Sequence, residues 1–159
     1  MAQGPASVIA LLLAAAICDP SLWKHVYHPD RLIVVRDCVA VTGTIMDATH
    51  GKRKDGLRKE ADGDCHGWLT VDKPFHDLLN KGNHSGAKGN LVFEAVCMYN
   101  VRQENAKLAC RGFSSKVKIP PVGSHVTVTG TLVQETRHAK WREIHPVTSI
   151  AMSHSNKGR

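Results

Sequence analysis

Aromatic residues make up only 5% of this 159-residue chain, which is thin for a surface built to stack bases. None of the five cysteines forms a Cys-x-x-Cys pair, so a thioredoxin-like redox site and a zinc ribbon are disfavoured. There is no Gly-x-Ser-x-Gly, hence no nucleophile elbow. No apolar run reaches the about 20 residues that a membrane-spanning helix needs. No Lys or Arg lies between Met1 and Lys24, so the positive start usual for a secretory signal is missing. Coiled coils, collagens, repeat arrays and multi-span membrane proteins are all excluded.

What is present fits one globular domain, since domains commonly run to about 100–200 residues. Hydrophobic residues are 42% and charged residues 22% of the chain, enough for a core and too apolar for disorder. Lys and Arg outnumber Asp and Glu by 21 to 14, and this +7 charge favours polyanionic partners without specifying a fold. Ten histidines are many for the length.

The run from Ser7 to Ile17 is apolar throughout, is followed by Cys18 and Pro20, and has the length of a secretory h-region. We therefore expect residues 1–20 to be a signal peptide or a lipoprotein-type signal, a barrel domain over 31–152, and a disordered tail over 153–159. Export to the periplasm or beyond follows, with no transmembrane span after removal of the signal. Lipidation at Cys18 is the second choice, because Ile17 is large for the position before a lipid-modified cysteine. In an oxidising space Cys38, Cys65, Cys97 and Cys110 can pair in three ways. Cys97–Cys110 is favoured because they close adjacent elements; Cys38 could compete, and buried free thiols are the alternative.

Hydrophobic alternation predicts five strands: Leu32–Met46, Asp64–Val71, Leu91–Met98, His125–Gln134 and about Trp141–Met152. A loop fills 47–63, a turn and flexible loop 77–87, and a short helix 103–110. The first and fourth strands share a Val-Thr-Gly-Thr echo at 41–44 and 128–131, which places a glycine bend in two strands that could lie side by side. Three strands, a helix and two strands is the order of an OB-fold, so an all-β, five-stranded OB-like closed barrel is expected. A generic β-sandwich is the competing architecture.

An OB barrel binds ligands on its second and third strands, between the loop joining strands 1 and 2 and the loop joining strands 4 and 5. Here the first loop carries Lys52, Arg53, Lys54, Arg58 and Lys59, and the second Arg137, Lys140 and Arg142. With Trp68 and Trp141 as stacking platforms, these would suit nucleic acid or an acidic glycan. Asp55, Glu60, Asp62 and Asp64 dilute the first loop, and such loops are usually just solvated.

A second pattern is chemically sharper. Alternation puts Asp64 and His66 on one face of their strand, and Trp141, Glu143 and His145 on one face of theirs. With His138 these supply two carboxylates and three imidazoles, a ligand set suited to Zn²⁺ and similar divalent ions. The same residues would also serve a buried hydrogen-bond network. A small polar ligand, or a metal-assisted hydrolase with Glu143 as base, are further readings.

Asp62-Gly63-Asp64-x-His66, followed by Glu143-Ile144-His145-Pro146-Val147, resembles the signature of a group of small exported bacterial OB-like β-barrel proteins. The likeness runs over most of the chain after Arg31 and includes the Val-Thr-Gly-Thr strands. It implies export and a barrel whose signature is these Asp/His and Glu/His segments, and it implies no activity. The basic loop from Gly51 to Lys59 is not part of it.

Overall fold

The structure is a computed structural model that describes residues 16–48 and 57–153. Six strands form one sheet: β1 (Leu32–Met46), β2 (Arg58–Lys59), β3 (Cys65–Val71), β4 (Leu91–Ala95), β5 (His125–Glu135) and β6 (Arg142–Met152). Their order is β1-β5-β6-β4-β3-β2, and β1 also pairs with β3. Leaving out the two-residue β2, five strands close into a barrel. All its pairings are antiparallel except β4 with β6. This is an all-β, OB-like closed barrel.

The long β1 serves two neighbours, pairing with β5 along most of its length and with β3 over Gly43–Met46. The Val-Thr-Gly-Thr echo explains how it turns between them. Val41 lies opposite Val128, so the two strands that carry the echo are neighbours, the segments themselves overlapping at that one pair. A Cβ on Gly43 would run into the Thr70 carbonyl and come 2.9 Å from Leu69 Cγ. One on Gly130 would meet the Pro146 carbonyl and lie 2.6 Å from Ile144 Cγ2. Both glycines sit where a strand passes close under its neighbour, which any side chain would prevent.

Alternate residues fill the barrel: Val41, Ile45, Leu69, Phe93, Val128 and Ile144 are fully buried in the main core. Burying each such side chain contributes about 1.5–3 kcal/mol. Cys65, Phe93 and Ile144 point to this core. Their neighbours His66, Glu94, Glu143 and His145 therefore occupy the other face of β3, β4 and β6.

Two elements differ from the sequence-based expectation. The segment 103–110 is not a helix: a single 3-10 turn spans Glu104–Ala106. The one α-helix among the described residues is α1 (Lys81–Gly86), between the second and third barrel strands. Its Gly, Asn and Ser content reads as loop. What makes it a helix is a capping box, in which Asn80 accepts from the Asn83 N–H and Asn83 accepts from the Asn80 N–H. The buried Asn83 side chain then donates to the carbonyls of Asn90 and Arg142 at 2.9 and 2.8 Å, tying α1 to the barrel.

The described residues before β1 are part of the fold. Cys18 and Cys38 form a disulfide, and Leu22 and Val26 pack with Val96 and Cys97 in a small cluster. Cys97 pairs with Cys110 as expected, and Cys65 is a buried free thiol. Among the described residues no helix is long and apolar enough to cross a membrane. The apolar run 7–17 lies largely outside the described residues, as do Lys52, Arg53, Lys54 and all of the tail but Ser153. Ser153 donates its N–H to the His125 carbonyl at 3.0 Å, continuing the barrel edge.

Candidate functional site

Strand order assembles the site. β4 lies between β3 and β6, with His66 opposite Glu94 across one ladder and Phe93 opposite Ile144 across the other. One residue further along these parallel strands, Glu94 comes beside His145. Three strands that are distant in sequence thus bring two imidazoles and two carboxylates to one patch. Asp64 joins them from the residue before β3.

The contacts are close and mostly dry. His66 Nδ1–H donates to Glu94 Oε1 at 2.8 Å. His145 Nδ1–H donates to Glu143 Oε1 at 3.1 Å and lies 3.3 Å from Glu94 Oε2. Glu143 Oε2 accepts from Trp141 Nε1–H at 2.7 Å, so both of its oxygens are engaged within the wall. Asp64 Oδ1 accepts from the Cys97 N–H at 2.8 Å, while its Oδ2 stands 3.8 Å from His145 Nε2. His66, Asp64, Glu143 and His145 are each no more than 3% exposed. Asp64, Glu94 and His145 each offer a ligand atom within 4.8 Å of the other two. Asp64 also lies near Cys97 and Cys110, but a disulfide leaves those sulfurs without thiolate character, and that grouping is no metal site.

Electrostatics separates the acids. Burial pushes Asp64 up to about 8, with nearby Asp62 and Glu94 adding to the rise, although His145 opposes it. Burial acts on Glu94 in the same direction. There the His66 hydrogen bond and the charges of His145, His66 and Arg58 prevail, holding it near 2. Burial alone would lower His145, but Glu143, Glu94 and Asp64 raise it to about 9. Without an ion, His145 is therefore held as an imidazolium among these carboxylates.

A cleft of about 460 Å³ opens over this patch. Arg58, Glu60 and Asp62 from the loop before β3, and Glu135, Arg137 and His138 from the loop before β6, border it. These are the two loops that frame ligands in OB barrels. At its floor His66 Nε2 and His145 Nε2 are buried with no hydrogen-bond partner.

Of the residues expected to ligate metal, Asp64, His66, Glu143 and His145 do come together, though in unequal roles. Asp64 and His145 offer ligand atoms, Glu143 orients His145 from behind, and His66 holds Glu94. His138 does not join: its side chain is 60% exposed, stacks on Trp141 and contacts Glu135 at the rim. Glu94 went unforeseen, since no motif contains it. The available signal is a lone carboxylate in the apolar run Leu-Val-Phe-Glu-Ala-Val, a placement that needs a buried partner.

The expected stacking platforms are not surface features. Trp68 is 2% and Trp141 8% exposed, and both pack with Ala48, Ala87 and Val92 in a second small core. The basic frame is partly neutralised as well: Arg58 bridges Glu60 at 2.8 Å, and Lys59 lies over the Tyr99 ring. Arg137 and Lys140 stay exposed in the second loop. No protein-family model matches the chain, and no curated protein matches it significantly.

Proposed function

We propose that this protein is an exported OB-like binding module that holds a divalent cation, zinc or a similar first-row ion, through Asp64, Glu94 and His145. The observation that carries this reading is the convergence of those three ligand atoms within 4.8 Å of one another, two of them, on Glu94 and His145, belonging to residues that line the cleft. Two further features support it. The buried Nε2 of His145 makes no hydrogen bond and faces Asp64 Oδ2 at 3.8 Å, and its Nδ1–H is directed to the Glu143 carboxylate. That is the arrangement in which a histidine presents a fixed lone pair to a metal. A set of two carboxylates and one imidazole suits zinc and other first-row ions, and leaves coordination positions for a ligand from the cleft.

Export is supported by the two disulfides, which persist in oxidising compartments. Cys18 belongs to one of them, so its sulfur is engaged and release favours cleavage ahead of Cys18 over a lipid anchor. The resemblance to small exported bacterial barrels agrees with this compartment.

The test is a zinc titration followed by calorimetry and by melting temperature, on mature protein purified without a His-tag. One ion per chain is expected, with a raised melting temperature, and His145→Ala should abolish both. Unchanged affinity in His145→Ala and Asp64→Asn would refute the site. A steep fall of polyanion binding with salt would instead favour the basic loops as the working surface.

A further inference from the structure

Four side chains bordering this cleft keep a buried polar atom without a hydrogen-bond partner: Arg31 Nε, His66 Nε2, His145 Nε2 and Glu135 Oε1. Such atoms are rare in native proteins, because each leaves its desolvation cost uncompensated. Two of them have a fixed polarity. Arg31 can only donate, and the Glu135 carboxylate, 3% exposed, can only accept.

Both groups are held in place by the backbone around them. The Arg31 carbonyl accepts from the Thr136 N–H at 3.0 Å, which ties the start of β1 to the loop after Glu135. Glu135 Oε2 accepts from the N–H groups of Arg137, at 2.8 Å, and of His138. This leaves Oε1 as the free acceptor. One cleft is thus lined by the carboxylates of Glu94 and Glu143, a fixed donor on Arg31, a fixed acceptor on Glu135 and the exposed Arg137.

We infer that the cleft takes a small hydroxylated anion, a sugar carrying a phosphate or a carboxylate. Its anionic group meets Arg31 and Arg137, and one of its hydroxyls donates to Glu135 Oε1. A simple anion would leave Glu135 unpaired, and a neutral sugar would meet Arg31 only through a hydroxyl oxygen, a weaker acceptor for a guanidinium than an anionic group; a molecule with both groups serves both best. The volume of about 460 Å³ admits a ligand of monosaccharide size. This inference rests on the proposed function only in that a cation on the floor would offer the anionic group a further contact. The Arg31 and Glu135 contacts stand without it.

The experiment is calorimetric titration with ribose 5-phosphate, glucuronate, inorganic phosphate and ribose, in EDTA and again with Mn²⁺. At least one hydroxylated anion should bind in EDTA, more tightly than phosphate or ribose, and which of the two binds tells phosphate from carboxylate. Arg31→Gln and Glu135→Gln should each weaken it about ten- to a hundredfold, while manganese affinity in Arg31→Gln stays unchanged. Glu135→Gln keeps the acceptor for the Arg137 and His138 N–H groups, and circular dichroism would confirm that it folds. Ion binding with no uptake of either anion would overturn this inference and leave the metal reading intact. Uptake unaffected by both substitutions would overturn it equally. Uptake that depends on Arg31 and Glu135 in a protein that binds no ion would uphold it and refute the metal reading instead.

Discussion

Glu94→Gln is the most informative single perturbation, because this carboxylate joins both histidines of the site. It accepts from His66 at 2.8 Å and lies 3.3 Å from His145 Nδ1, with its side chain only 18% exposed. Hydrogen bonds to charged groups contribute about 1.5–3 kcal/mol each. Titration leads to a similar figure. A carboxyl held at about 2 against an ordinary 4.5 stabilises the fold by about 3 kcal/mol at neutral pH. Since the folded group ionises at lower pH than the unfolded one, this stabilisation is complete above pH 4.5 and is lost as the pH falls toward 2. Glutamine preserves the shape, so the charge is what disappears. Urea denaturation in EDTA at pH 7 should show a loss of about 3 kcal/mol, near 2 M in midpoint for a slope of about 1.5 kcal/mol/M. Between pH 4.5 and 2 the variant should also lose less stability than the wild type. Equal stability at pH 7 with an unchanged acid limb would refute the reasoning.

The ion-free protein should lose stability as the pH rises, through Asp64 between 3.8 and about 8 and through His145 between 6.5 and about 9, because both raised groups favour folding while protonated. An ion prefers the neutral imidazole and the ionised carboxylate, so the melting-temperature rise it causes should grow over that window; a shift independent of pH would contradict this. Trp141→Phe removes the donor to buried Glu143 Oε2 and should cost about 1–3 kcal/mol in urea, whereas an unchanged midpoint would show that bond to be idle. Replacing Cys97 and Cys110 by alanine opens a bridge between residues 13 apart and should cost about 3 kcal/mol. Because the Cys97 N–H holds Asp64, ion affinity should fall with it; intact affinity would show that Asp64 needs no such support.

The strands were legible because their signal is local. Val39–Ile45 and His125–Val128 alternate buried and half-buried residues, and alternation likewise assigned Asp64 and His66 to one face and Cys65 and Leu69 to the other. The site was only half legible, because its other half is set by which strands are neighbours. Glu94 gains meaning once β4 lies between β3 and β6, a pairing between segments about 50 residues apart that no local pattern encodes. His138 lies in the turn entering β6, as the sequence suggested, but alternation says nothing of where a turn residue points, and its side chain is 60% exposed beside Glu135. The tryptophans trace to a missed helix. With α1 read as a loop, nothing covered Trp68 and Trp141, and they looked available for stacking. In the structure the buried Ala87, at the end of α1, packs in their cluster. The composition of 103–110 suggested a helix, but the segment is folded into turns beside the Cys97–Cys110 bridge.

Anomalous diffraction from crystals soaked in zinc tests the central claim most directly. We predict one strong peak about 2.0–2.2 Å from a carboxylate oxygen of Asp64, one of Glu94 and a ring nitrogen of His145, lost in crystals of His145→Ala. A peak on exposed histidines alone, or none, would contradict the account and leave these residues as a buried network that closes the barrel wall.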